Sequence, residues 1–175
     1  MHPEEIWPHA LDERRSEKEI YRNYLLPIAL VTSVLVLLLS LVHYNWLQAC
    51  GLAIINLLSV TGGSWIAYLI TREYLCRKLY YGNNQALNLT IYSAAIFIIF
   101  HSIGAALGNI FLGQLFVLFS FIFIRTLYKG LGILPGLLPV QKTNILIITS
   151  LSIVCIPVII TQILMIVFGI SAFNV

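Results

Sequence analysis

The sequence predicts an all-α, polytopic membrane protein with five transmembrane helices, its N-terminus cytoplasmic and its C-terminus outside or luminal. Three observations carry that expectation. Apolar residues make up 59% of the 175 and the mean hydropathy is +0.92. Charged residues make up only 10%, against about 25% in ordinary soluble domains. The charges are also gathered into three clusters, separated by charge-free runs of 49 (23–71), 46 (79–124) and 33 (143–175) residues. A water-soluble fold of this size needs more polar surface, which excludes a soluble enzyme or binding module. The length fits one domain, divided into a cytoplasmic tail (1–22) and a five-helix transmembrane domain (23–175).

The tail comes first. Residues 1–22 hold six acids and four bases and no apolar stretch of signal-peptide type, so the first span is expected to act as its own insertion signal. Pro3 and Pro8 argue against helix at the start. Ser16 followed by Glu19 fits a capping box that opens a helix. Two readings stand for this segment: an amphipathic helix laying Ile6, Trp7, Leu11 and Ile20 on the membrane or a cytosolic partner, or a charged lead-in that anchors the first span.

A helix needs about 20 apolar residues to cross about 30 Å of hydrocarbon. The runs of 49 and 46 residues each hold two spans and a turn, and the run of 33 holds one. Spans are expected at 25–42, 47–70, 87–107, 110–127 and 145–170. His43–Trp46 forms the first turn, and Gly104, Gly108 and Asn109 mark the second. All ten Lys and Arg residues then fall on one side, which the positive-inside rule assigns to the cytoplasm. Eight of the nine tyrosines fall near the same ends, as an interfacial belt, with Tyr44 and Trp46 at the other face.

Inside the second span, Ser59-Val60-Thr61-Gly62-Gly63-Ser64 is a run of mostly small residues. Helices in lipid associate through close backbone approach at such residues, so Gly62, Gly63 and Ser64 are candidates for helix packing; a thin spot lining a cavity is the alternative. Gly104 and Gly108 have GxxxG spacing, equally suited to a turn or a dimer face. Pro157 interrupts the fifth span and frees the Ile153 carbonyl, with Thr161 and Gln162 near enough to help satisfy it; a kink is expected there. The connector 130–139, rich in glycine and proline and followed by Lys142, is expected to lie in the cytoplasmic interface.

Polar residues within spans are functional candidates by default. Asn56, Thr61, Ser64, His101, Gln114, Thr161 and Gln162 are spread over four helices and could share a cavity. His101 lacks an acid to relay protons to, since no span contains Asp or Glu, so a neutral, hydrogen-bonded imidazole is the plainer reading. Asn88-Leu89-Thr90 matches a glycosylation sequon but falls at the cytoplasmic face. Cys50, Cys76 and Cys155 are isolated and read as small apolar filler. Trp7, Arg72, Arg77, Lys78 and Lys129 are candidates for contact with a cytoplasmic partner or with anionic headgroups.

No catalytic or metal-ligand spacing occurs, whether a metalloprotease pair, a nucleophile elbow, paired intramembrane aspartates or a phosphate loop. We therefore expect neither enzymatic activity nor a cofactor nor nucleic-acid binding. Several stretches do resemble the Yip domain family of Ypt/Rab-interacting proteins, in its short bacterial form. They are Tyr21-Arg22-Asn23-Tyr24-Leu25-Leu26-Pro27, Ser59 through Trp65, Ile91-Tyr92-Ser93, and Tyr128-Lys129-Gly130-Leu131 with Lys142 and Pro157. The resemblance implies a five-span scaffold or partner-binding element, in the cytoplasmic membrane if bacterial and an endomembrane if eukaryotic, associated with itself or another membrane protein. It supplies no catalytic residues. The chain lacks the longer cytosolic domain that GTPase binding would use. A small permease or flippase subunit is the alternative.

Overall fold

The architecture is that of a computed structural model, which describes Trp7, residues 16–107 and residues 111–170, with Lys78 described by its backbone only. Ile6, Leu11, Gly108 and Asn109 lie outside the described residues. Those described are helical, without a strand among them, and five helices are long and apolar enough to cross a membrane: Glu17–Ser40, Trp46–Arg77, Asn83–Leu107, Phe111–Ile133 and Pro139–Val167.

The first span starts at Ser16, where the expected capping box is present: Glu19 N–H donates to Ser16 Oγ (3.2 Å) and Ser16 N–H to a Glu19 carboxylate oxygen (2.9 Å). Helix α1 (Glu17–Ile20) runs through a π-helical turn (Tyr21–Leu25) into α2 (Leu26–Ser40). That turn ends two residues before Pro27, whose nitrogen has no hydrogen to donate to the preceding turn. The lead-in is thus the first turn of the first span. Ile20 is buried in the core, which corrects the reading that set it on the membrane surface or a partner.

Helix α3 (Trp46–Leu79) is longer than the apolar run that predicts it, because hydrocarbon thickness limits the apolar stretch and not the hydrogen-bonded ladder. Its last turns carry Arg72, Glu73 and Arg77, with an i,i+4 ion pair from Arg77 to Glu73 at 2.7 Å. It ends at Tyr80, which adopts a left-handed φ of 60° normally taken by glycine, while Tyr81 N–H closes onto the Leu75 carbonyl (3.2 Å).

Helix α4 (Asn83–Leu107) is the central element, packed against α2, α3, α5, α6 and α7. Its buried positions include Ala86, Ser93, Ala94, Ala95, Ser102, Gly104 and Ala106, small enough to admit neighbours on every side. The fourth span is two helices, α5 (Phe111–Ser120) and α6 (Ile122–Ile133), broken by a tight turn at Phe121. Because α6 runs to Ile133 and Pro139 opens α7 (Pro139–Val167), the connector contracts from the expected 130–139 to Leu134–Leu138. Pro at the first helical position lacks only a donor that would be unpaired anyway.

Candidate functional site

The spans join at two levels. At the charged end, an aromatic and ionic cluster ties the N-terminal segment to the bundle. Trp7 is buried against Tyr92 (edge to face, 6.3 Å) and lies over Gly130, where a Cβ would approach its ring to 3.0 Å. Gly130 is therefore the notch that admits the indole, and Trp7 is an internal wedge; the reading of Trp7 as an outward partner or lipid contact is corrected. Tyr24 meets Tyr92 edge to face (4.8 Å), as Tyr21 does Trp65 (5.8 Å), so part of the expected tyrosine belt is core. Glu17 accepts a hydrogen bond from Tyr68 Oη (2.5 Å) and pairs with Arg72 (3.5 Å). Arg72 thus holds α1 to α3, and Arg77, largely exposed, pairs with Glu73 one turn back. Lys129 is half-buried, and nothing is described of the Lys78 side chain. Tyr81 Oη donates to the Pro135 carbonyl and joins the two loops at this end; burial raises its pKa above the ordinary tyrosine value.

Toward the other end, the bundle encloses a cavity of about 80 Å³. Its polar lining is Ser40 from α2, Asn56 and Ser59 from α3, His101 and Ser102 from α4, and Thr161 from α7. Asn56 is the hub: its amide donates to Ser33 Oγ (3.1 Å) and its carbonyl accepts from Ser102 Oγ (2.9 Å), so one side chain bonds α2, α3 and α4 together. Ser40 Oγ is buried without a protein partner among the described residues. His101 stacks on Phe97 (4.8 Å between centroids, planes 12° apart). The volume suits a few water molecules.

The cavity is closed toward the charged end. Phe97 and Pro157 line it there, and Phe97 packs edge-on against buried Phe123 (5.6 Å). Beneath lies a close helix crossing: a Cβ on Gly63 would stand 2.6 Å from Pro157 Cγ and 2.9 Å from its Cα. Pro157 is therefore a packing residue seated in the Gly63 notch, and α7 continues through it from Pro139 to Val167. Thr71 and Thr149 add a hydrogen bond between α3 and α7 (3.1 Å).

Of the seven polar residues the sequence groups together, three share this cavity: Asn56, His101 and Thr161. Thr61 Oγ1 donates to its own helix at Leu57 (2.7 Å). Ser64 is buried apart from the cavity, and Gln114 and Gln162 are exposed, so these four are corrected as members of one shared site. Gly104 packs on the fourth span, where a Cβ would meet Val117 Cγ2 at 2.6 Å and the Gly113 carbonyl at 2.9 Å. It is a contact within the chain, neither turn nor dimer face. Gly62 has only Ile160 Cδ1 near, at 3.9 Å, and makes no close crossing.

Ser33, Ser40 and Ser59 escape the polar-residue argument because serine is common helix filler. The available signal is periodic: Ala29, Thr32, Ser33, Val36 and Ser40 repeat at three- and four-residue steps and are the buried stripe of α2. Glu17 is missed because its partners lie 51 and 55 residues away. Among the described residues, no group of three His, Cys, Asp or Glu side chains could hold a metal ion. Comparison with protein-family profiles, curated proteins and solved structures finds no match for this chain.

Proposed function

We propose that this chain is a non-enzymatic integral membrane protein of Yip type, a scaffold or partner-binding element whose charged end faces the cytoplasm and whose C-terminus lies outside or in a lumen. The observation that carries the reading is the disposition of the polar side chains. Ser33, Asn56 and Ser102 bond to one another, as do Thr71 and Thr149, and Glu17 bonds to Tyr68 and Arg72, each set joining helices. A permease needs polar groups along a continuous route. Here the cavity is small, and Phe97 and Pro157 line it on the side nearer the charged end. The bases among the described residues, Lys18, Arg22, Arg72, Arg77, Lys78, Arg125, Lys129 and Lys142, lie toward the helix ends joined by the Glu17, Trp7 and Tyr81 contacts and support the cytoplasmic placement of that end. The Yip assignment itself rests on the sequence resemblance.

Gly63 and Gly104 are engaged inside the chain, so association with a second copy or another membrane protein must use other faces. The exposed apolar faces include those of α2, with Val31, Val34 and Leu38, and of α7, with Ile159, Ile163 and Ile166. Reconstitution into vesicles tests the proposal: the scaffold reading expects ion and small-solute flux equal to that of lipid alone. Protein-dependent flux that saturates with solute would favour the permease.

A further inference from the structure

We propose that the open groove between the start of the first span and the middle of α3 is a binding site for one anionic glycerophospholipid, its phosphate held by Lys18 and Arg22 and one acyl chain lying along Leu58, Gly62 and Trp65. The groove measures about 820 Å³ and opens to the outside of the bundle. Its rim is charged and its floor is apolar, and the two are stacked in the order a lipid requires. Tyr21 touches Trp65 (5.8 Å between ring centroids), which sets Trp65 at the level of the first helical turns. Leu58 lies seven residues back along α3, about 10 Å deeper at 1.5 Å per residue. The floor therefore runs from the charged rim toward the bilayer interior.

The charges on the rim are not equivalent. Glu17 is engaged by Tyr68 and Arg72, and Glu19 by the Ser16 backbone amide. Lys18 and Arg22 are exposed one turn apart, and neither has an acid within 4.0 Å among the described residues; Arg22 only donates to Asn23 (3.3 Å). Two cations with no acid within 4.0 Å among the described residues, above an apolar trough, match a phosphate above an acyl chain. Gly62 keeps the trough open, since the one atom near a Cβ there is Ile160 Cδ1 at 3.9 Å. This site is distinct from the Gly63 notch, and it does not depend on the scaffold reading.

Trp65 provides the readout. In a Trp46→Phe background, the full-length protein is reconstituted with a minor fraction of phosphatidylglycerol or of phosphatidylcholine, each carrying brominated acyl chains that quench nearby indoles. Trp7 is buried and serves as an unquenched reference. The site predicts about thirtyfold preferential occupancy by the anionic lipid, the scale expected of two interfacial cations. Lys18→Gln with Arg22→Gln should reduce quenching to the phosphatidylcholine level. Gly62→Leu, whose Cβ meets only Ile160 Cδ1 at 3.9 Å, should abolish the excess quenching while leaving the thermal transition in place. Equal quenching of the parent protein by the two lipids would overturn the proposal. So would an anionic preference that survives Gly62→Leu, which would place the chain elsewhere, or one that survives the double Gln variant.

Discussion

The Gly63–Pro157 crossing offers a sharp test of the packing, because its neighbour Gly62 is an internal control. An alanine Cβ at Gly63 would lie 2.6 Å from Pro157 Cγ and 2.9 Å from Pro157 Cα. The Cα cannot swing aside as the end of a flexible side chain could, so α3 and α7 must separate. Overpacking of this kind costs about 1–3 kcal/mol, offset by about 1 kcal/mol of helix propensity gained on leaving glycine. Gly62→Ala collects the same propensity gain and meets only Ile160 Cδ1 at 3.9 Å. The two adjacent substitutions should therefore differ by about 1–3 kcal/mol, with Gly63→Ala the less stable. Reversible unfolding in mixed micelles measures the difference. Adding Pro157→Ala removes Cγ, the nearest atom, and should shrink the cost of Gly63→Ala by about 0.5 kcal/mol or more in a double-mutant cycle. Equal stabilities of the Gly62 and Gly63 variants, or strictly additive effects with Pro157→Ala, would refute the crossing.

Three further outcomes are expected. Asn56→Leu leaves Ser33 and Ser102 without their shared partner and should destabilise the protein by about 1–2 kcal/mol, while Gln114→Leu, on an exposed position, should change little in the same unfolding assay. Tyr80→Gly relieves a left-handed φ of 60° and should raise stability by about 1 kcal/mol. Burial raises the Tyr81 pKa above its ordinary value; a raised folded pKa gives stability that is full below about pH 10 and lost as pH climbs through the folded value. Tyr81→Phe should flatten that alkaline loss relative to the parent, as seen in unfolding midpoints measured across pH 9–11.

The number of spans was legible because burial in lipid writes itself as charge-free length, and the capping box because Ser16 and Glu19 are local partners. The helix ends were not, since Arg72, Glu73 and Arg77 continue α3 through intrahelical bonds that hydropathy does not register. The small-residue run of α3 announced close packing without saying which face meets which neighbour. Gly63 fits under Pro157 while Gly62, one residue back and 100° around the helix, faces the groove. Trp7 misled for a related reason: an aromatic in a charged tail looks interfacial until Gly130 is seen to leave it a pocket. Asn56, His101 and Thr161 were marked as polar residues within spans, and the cavity joins them. Gln114 and Gln162 carry the same sequence signal and stand at the surface, because polarity alone does not fix helix rotation.

If the Asn56, Thr71 and Glu17 bonds join helices, the polar side chains line no route across the membrane. Single cysteines at Ser40, Thr161 and Ser64, introduced after replacing the native cysteines, test it through labelling by a small charged thiol reagent from each side. Ser64→Cys should react from neither side, and Ser40→Cys and Thr161→Cys should react, if at all, only from the side opposite the charged end. Reaction of the cavity cysteines from both sides, or of Ser64→Cys from the charged side, would contradict it.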